Sequence, residues 1–81
     1  MSNIEKIRAV VKEHGRLAVD ADKLAENDDL YKAGMTSHAS VNVMLALEAT
    51  FDIEFPDRML KREVFESLGT MQNAITELTG G

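Results

Sequence analysis

The stretch "GMTSHASVNVMLALEATFDIEFPD" (residues 34–57) joins a glycine turn, the adjacent hydroxyl side chains of Thr36 and Ser37, and a long run with almost no charge. Gly34 permits a tight backbone, and Thr36 or Ser37 can accept hydrogen bonds from the unpaired N–H groups that open a helix. No helix breaker follows until "FDIEFPD", whose Pro56 fits a turn. We therefore expect a helix over residues 37–51.

This helix is apolar around most of its circumference. One side of a helical wheel holds the predicted core stripe, which is Val43, Ala46, Leu47, Thr50 and Phe51. The other side holds His38, Val41, Met44, Leu45 and Glu48. A helix of this kind is either buried on both sides or covered part of the time by a partner. The sequence leaves both alternatives open, and with them the role of Val41 and Met44.

The flanking segments also have the apolar spacing of helices. After a cap at Ser2 or Asn3, an apolar stripe predicts a helix over about residues 3–14, ended by Gly15. Asp57 and Ser67 are possible caps for a short helix over about 57–65 and a last one over about 67–78. We expect one all-α domain over residues 1–81, a small four-helix bundle.

A long ordered loop is predicted between the first two helices, from Arg16 to Ala33. Its scattered apolar side chains, Leu17, Val19, Leu24, Leu30 and Tyr31, would hold it against the core. A loop of that length in a small domain is more often functional than idle. It is rich in carboxylates, but Leu24 and Ala25 stand where a calcium loop counted from Asp20 needs an oxygen ligand and a glycine.

Composition excludes several classes of function. A net charge of -5 argues against nucleic acid as a partner, because phosphate contacts need clustered Lys and Arg. The chain has no cysteine, so any thiol must be supplied from outside, and His14 and His38 match no metal-ligand spacing. No apolar run approaches the roughly 20 residues that span a bilayer, and the N-terminus lacks a signal-peptide core. These features predict a cytoplasmic protein without a metal.

Three interpretations of Ser37 remain open on local pattern alone. It could be the N-cap of its helix, or a hydrolytic nucleophile, although "GMTSHA" is not the G-x-S-x-G elbow of hydrolases. It could also carry a phosphoester, because the unpaired N–H groups and positive dipole end of a helix N-terminus favour a phosphate.

The order and spacing of these elements resemble the acyl carrier protein family, including the peptidyl carrier domains. The resemblance covers nearly the whole chain, through "DDLYKAGMTS", "LALEATFDIEFPD" and "TMQNAITEL". It implies that a phosphopantetheinyl transferase modifies Ser37 from coenzyme A and so attaches a 4'-phosphopantetheine arm. It further implies that cargo travels on the arm as a thioester, loaded by a ligase and passed to downstream transferases, while the chain catalyses nothing. We expect a free-standing monomer.

The sequence departs from the family around this serine. Thr36 and His38 replace the usual aspartate and leucine on either side of it, and Glu48 is the only acid between Ser37 and Phe51. In fatty-acid carriers, acids along this helix meet basic patches on partner enzymes, which sets encounter rate and specificity. Partners other than the fatty-acid enzymes are therefore expected, in lipid or secondary metabolism or with an amino acid loaded by a stand-alone ligase. The candidate docking residues are Thr36, His38, Val41, Met44, Leu45, Glu48 and Arg58.

Two other functions stay in view. Gly80 and Gly81 resemble the end of a ubiquitin-like or sulfur-carrier protein, but such proteins are built on a sheet, and strand alternation is missing here. A helical interaction domain that is never modified would keep Ser37 as a cap and use the apolar helix face to bind a partner.

Overall fold

Three α-helices form the molecule in a computed structural model that describes residues 3–80. They are α1 (Asn3–His14), α2 (Ser37–Phe51) and α3 (Leu68–Thr79), and no strand occurs among the described residues. The predicted bounds of α1 and α2 are confirmed. Asn3 lies inside α1 rather than before it, and Ser2, the other proposed cap, lies outside the described residues.

The predicted helix over about 57–65 is wrong. Two separate 3-10 turns, Asp57–Met59 and Arg62–Phe65, take its place, with extended backbone at Lys61 between them. The extended backbone at Lys61 lets each turn bury an apolar side chain of its own, Met59 in the first and Phe65 in the second. Phe65 thereby packs against the ring of Phe55 in the core. Residues 3–80 therefore contain three α-helices rather than four.

The core lies between the inner sides of the three helices and the segment that links α2 to α3. Phe55 and Phe65 meet there edge to face, with their ring centres 5.4 Å apart and an interplanar angle of 68°. The largest fully buried side chains, from all three helices and the loop, are Ile7, Val11, Leu30, Val43, Leu47, Leu68, Met71 and Ile75. α2 is thus covered along one side, by α1 and by the core side chains from the other segments.

The cap of α3 is Ser67, as predicted, and the helix itself begins one residue later, at Leu68. Its hydroxyl oxygen accepts from the Thr70 N–H at 3.1 Å, while Thr70 Oγ1 accepts from the Ser67 N–H, also at 3.1 Å. This reciprocal pair satisfies two N–H groups that a helix start leaves unpaired. At the other end, Gly80 adopts the left-handed conformation that commonly ends helices. Gly81 lies outside the described residues.

The loop from Gly15 to Thr36 is irregular apart from a 3-10 turn at Ala21–Lys23. The guanidinium of Arg8 in α1 donates to the carbonyl oxygens of Ala21 and Leu24, each at 2.7 Å. Leu30 is fully buried, whereas Val19, predicted to help hold the loop, is half exposed. The loop is therefore an ordered structure that brings residues 34–37 to the start of α2.

Candidate functional site

Thr36, not Ser37, caps α2. Thr36 has extended backbone angles, and its Oγ1 accepts a hydrogen bond from the Ala39 N–H at 3.0 Å. Ser37 is the first residue of the helix and is exposed. Within residues 3–80, no hydrogen bond to the Ser37 hydroxyl is formed. The cap interpretation of Ser37 is thus wrong, and its hydroxyl is available for chemistry.

A neighbouring serine holds Ser37 in place. Ser40 is buried, and its hydroxyl donates to the carbonyl oxygen of Ser37 at 2.7 Å. Gly34 makes the preceding turn with a φ of 114°, and a Cβ atom there would lie 2.8 Å from the Ala18 nitrogen. The backbone on both sides of Ser37 is therefore fixed, while its side chain faces solvent.

A pocket of about 360 Å³ opens beside Ser37, between α2 and the segment that follows it. Its lining is mainly apolar and consists of Tyr31, Ser37, Ser40, Val41, Met44, Leu60, Lys61, Arg62 and Phe65. The volume is within the range of small-molecule sites. Arg62 stacks on Tyr31, with its guanidinium carbon 4.1 Å from the ring centre. A cavity and an exposed hydroxyl thus share one end of α2.

The chain matches the family model described as "Phosphopantetheine attachment site" over residues 5–74. It belongs to this family of carrier proteins. The family's cofactor is 4'-phosphopantetheine, and its members are substrates of partner enzymes and not enzymes themselves. The Ser37 end of α2 fits the cofactor, because it offers an exposed hydroxyl, with no hydrogen bond to any of residues 3–80, beside an open, mostly apolar pocket.

Curated relatives of this carrier include both aminoacyl and acyl carriers. It is 40% identical over 75 residues to the aminoacyl carrier protein of Agrobacterium fabrum (strain C58 / ATCC 33970), covering 93% of this chain and 90% of the relative. It is 38% identical over 84 residues to the acyl carrier protein of Caulobacter vibrioides (strain NA1000 / CB15N), covering 98% and 99%.

Several solved structures similar to this carrier are complexes with a ligase. One is the engineered Bradyrhizobium japonicum glycine:[carrier protein] ligase complexed with carrier protein from Agrobacterium tumefaciens and ATP; the matched chain has a TM-score of 0.92 and 38% identity, with 95% of this chain and 100% of that chain covered. Another is the Bradyrhizobium japonicum ligase complexed with glycylated carrier protein, with a TM-score of 0.76, 30% identity and coverage of 88% and 95%.

The predicted docking residues divide into exposed and internal ones in this carrier. His38, Val41 and Leu45 are exposed on α2, and Val41 and Leu45 retain 49% and 53% of their accessible surface. Met44 is half-buried, packs against the core and lines the pocket. Of the two positions left open by the sequence, Val41 is therefore a surface residue and Met44 belongs partly to the core.

The other predicted docking residues make contacts within the carrier. The Glu48 carboxylate accepts a hydrogen bond from the Phe55 N–H at 2.9 Å, which closes the turn after α2. Arg58 pairs with Glu77 of α3 at 3.2 Å and lines a different groove from the one beside Ser37. Thr36 is occupied as the cap. Their docking roles remain predictions.

Leu60 is a candidate that the sequence did not single out. It is 48% exposed and lines the pocket together with Val41. Val41 and Leu45 are one helical turn apart. We call Val41, Leu45 and Leu60 the apolar patch. Met59 and Leu60 are adjacent apolar residues, and the sequence pattern did not indicate that Met59 would be buried and Leu60 exposed.

Metal and membrane features are not seen in the described part of the carrier. Residues 3–80 contain no group of three or more His, Asp or Glu side chains placed to hold a metal ion. Over the same residues, none of the helices combines the length and apolar character that crossing a bilayer requires.

Proposed function

We propose that this chain is an aminoacyl carrier, whose arm is attached to Ser37 and is loaded by a stand-alone amino acid ligase. The observation that carries the proposal lies at the start of α2, where Thr36 caps the helix and the Ser37 hydroxyl is exposed and makes no hydrogen bond within the described residues. The choice of an amino acid as cargo is supported by the aminoacyl carrier relative and by the ligase complexes of similar chains.

The attachment step needs an accessible serine oxygen and an external donor. In the proposed step, the Ser37 Oγ bonds to the phosphorus that bears the pantetheine in coenzyme A, and the pyrophosphate bond breaks. Adenosine 3',5'-bisphosphate leaves, and the hydroxyl proton passes to a base of the transferase. A phosphate on Ser37 lies at the positive end of the α2 dipole, which favours its charge.

The arm, once attached, supplies the thiol that this cysteine-free chain lacks and holds the cargo as a thioester. The residues of the chain itself position this site. The Thr36 cap and the hydrogen bond from Ser40 fix the first turn of α2, so Ser37 is presented at a constant place to successive partners.

We also propose that partner enzymes bind the carrier through the apolar patch together with His38. Glu48 is the sole acid of α2, and its carboxylate accepts a hydrogen bond from the Phe55 N–H. This face of α2 therefore offers few carboxylates for ion pairs with a basic partner. An interface made mainly by apolar contacts should depend weakly on salt. The expected partners are the transferase, the ligase and downstream transferases, with the carrier acting as a cytoplasmic monomer and a single domain.

Mass spectrometry after incubation with coenzyme A, magnesium and a broad-specificity phosphopantetheinyl transferase tests the attachment site. We expect one phosphopantetheine adduct on the wild type and none on Ser37→Ala. Thr50→Ala is the matched control, because Thr50 has an exposed hydroxyl at the far end of the same helix, and this variant should keep the adduct. An adduct that survives in Ser37→Ala, or no adduct with any of several transferases, would contradict the proposal and favour the unmodified interaction domain.

The cargo is tested in a second step with the modified carrier. Incubation with a stand-alone glycine- or alanine-activating ligase and ATP should add one aminoacyl mass that hydroxylamine removes, as expected for a thioester. Acyl-ACP synthetase with a fatty acid is the parallel arm. Efficient fatty-acyl loading with no aminoacyl loading by any ligase would assign the chain to acyl carriers, in line with the Caulobacter relative.

A further inference from the structure

The pocket beside Ser37 has a lining of one charge sign. Apolar walls come from α2 and from the 3-10 turn that contains Phe65, and the two charged residues at the pocket are Lys61 and Arg62. Among its lining residues, all of which lie in the described part of the chain, there is no carboxylate. The pocket lining is therefore positively charged, whereas the chain as a whole has a net charge of -5.

Arg62 is held at the pocket by its neighbour. Its guanidinium lies 4.1 Å from the centre of the Tyr31 ring, and Tyr31 itself lines the pocket. Stacking on an aromatic face stabilises a cation in one place without neutralising it. Lys61 precedes it in extended backbone and is exposed. Both cations therefore act on any group that enters.

An aminoacyl group differs from other acyl groups by its amine. An α-amino group titrates at a pKa of about 7.7–8.0, so much of it is an ammonium at neutral pH. To enter the pocket, this ammonium would lose water, face two cations and find no carboxylate among the lining residues. An uncharged acyl group of the same shape is not repelled by the two cations and can pack against the apolar walls.

We propose that Lys61 and Arg62 make this pocket select cargo by charge, keeping a protonated aminoacyl group in solvent while admitting an uncharged acyl group. This inference rests on the proposed attachment of the arm to Ser37. Its consequence is that an amino acid stays accessible to the next enzyme, whereas a neutral acyl chain spends part of its time covered.

The test compares two isosteric cargoes on the full chain. Ser37 is modified with coenzyme A analogues in which an amide replaces the thioester, carrying either an alanyl or an isobutyryl group. These differ by an ammonium in place of a methyl group. Methyl NMR spectra of Val41, Met44 and Leu60 then report occupancy of the pocket. We expect isobutyryl to shift these signals and to give contacts with Phe65, and alanyl at pH 6.5 to leave them near those of the unloaded carrier.

Charge reversal provides the first arm of the experiment. In the double variant Lys61→Glu with Arg62→Glu, the occupancy by alanyl should rise about tenfold, because two repulsive interactions become attractive. The matched control reverses two exposed cations that do not line the pocket, Arg16→Glu with Lys23→Glu, and should leave occupancy unchanged. An equal rise in the control would contradict a local effect and overturn the proposal.

A pH titration of the unmodified sequence gives a second arm that depends on no variant. Raising the pH from 6.5 to 9 neutralises the alanyl amine, and its occupancy should approach that of isobutyryl. Tyr31, Lys61 and Arg62 are the titratable residues that line the pocket, and His38 lies next to Ser37. The isobutyryl carrier contains the same groups, so any shift that they cause appears in it as well and is subtracted.

The possible outcomes separate this inference from the proposed function. If mass spectrometry shows no adduct on Ser37, both are overturned. If the adduct forms but alanyl and isobutyryl occupy the pocket equally at pH 6.5, or neither enters, charge selection is overturned and Ser37 remains the attachment site.

Discussion

The two long sides of α2 are built from similar side chains in opposite surroundings. Val43 and Leu47 are fully buried against the core, whereas Val41 and Leu45, two positions away from them, are about half exposed. The fold needs the first pair, since only it contacts the core cluster. It does not need the second pair to be apolar. An exposed apolar stripe that does not stabilise the fold is best explained as a surface for another molecule.

The largest effect on stability is expected when leucine is replaced by alanine on the buried side of α2, and the same replacement on the exposed side should have a small effect. Leu47→Ala should lower the free energy of unfolding by about 3 kcal/mol, through lost burial and a cavity, whereas Leu45→Ala should cost about 0.5 kcal/mol. Urea unfolding followed by circular dichroism measures both. Equal losses would mean that Leu45 belongs to the core and that the comparison of the two sides is mistaken.

The second prediction concerns the partner rather than the fold. Val41→Asp places a charge in the apolar patch and should reduce kcat/KM for loading by the ligase about tenfold, because a buried interfacial carboxylate without a partner is costly. Thr50→Asp is the control, since Thr50 is exposed about 180° around the helix from Val41. Loading that falls equally in both variants would argue against docking on the patch; collapse of Val41→Asp would place Val41 in the core.

The limits of the sequence lie on this same helix. The bounds of α1 and α2 could be predicted because stop signals flank regular apolar stripes, and the resemblance singled out Ser37. The roles of Val41 and Met44 could not be predicted, because α2 is apolar around most of its circumference and the pattern does not show which side is buried. Thr50, predicted in the core stripe, is exposed. A helical wheel gives only the direction of a side chain around the axis. Burial also requires that another element of the fold packs against the helix at the same position along its length.

The segment after α2 shows a second physical limit. Asp57 and the apolar content of residues 57–65 favour a continuous helix, whereas the backbone forms two 3-10 turns that bury Met59 and Phe65 separately. Leu60, Lys61 and Arg62, which line the pocket, lie at the break between the turns and at the start of the second turn. Their place at the site depends on tertiary packing, which local pattern does not contain.

The third prediction tests why the exposed side of α2 has no free acid. Glu48 lies in the last turns of α2, where a carboxylate is unfavourable for the helix dipole. Its hydrogen bond from the Phe55 N–H compensates, so Glu48→Ala should cost about 1 kcal/mol of stability and leave ligase loading nearly unchanged. Glu54→Ala, at an exposed position nearby, should cost little. A large loss of loading with no loss of stability would return Glu48 to the docking surface.

The smallest effect is expected far from α2, at an ion pair that ties the long loop to α1. Lys12 Nζ and Asp22 Oδ2 are 2.6 Å apart, and both side chains are more than half exposed. The hydrogen bond from Lys12, with its charge, holds the pKa of Asp22 below the usual range, and Asp22 raises the pKa of Lys12. Exposed pairs of this kind contribute little and are screened by salt.

The sign of the pH dependence follows from these two pKa shifts. Because the pKa of Asp22 is lower in the folded chain, its contribution is present above the unfolded value of about 4 and is lost as pH falls further. Because the pKa of Lys12 is raised, the same contribution is lost only as pH rises beyond about 10. The Tm of Asp22→Asn should therefore lie slightly below that of the wild type between pH 5 and 9 and converge with it below pH 4. Glu54→Gln removes an equal charge from an exposed position that has no such partner among the described residues. The difference between its Tm and that of the wild type should not change with pH in this way. If both variants gave one profile, the effect would come from net charge, and the loop would be held by other contacts, among them the Arg8 hydrogen bonds, the Leu30 N–H bond to the Glu66 carbonyl oxygen and the burial of Leu30.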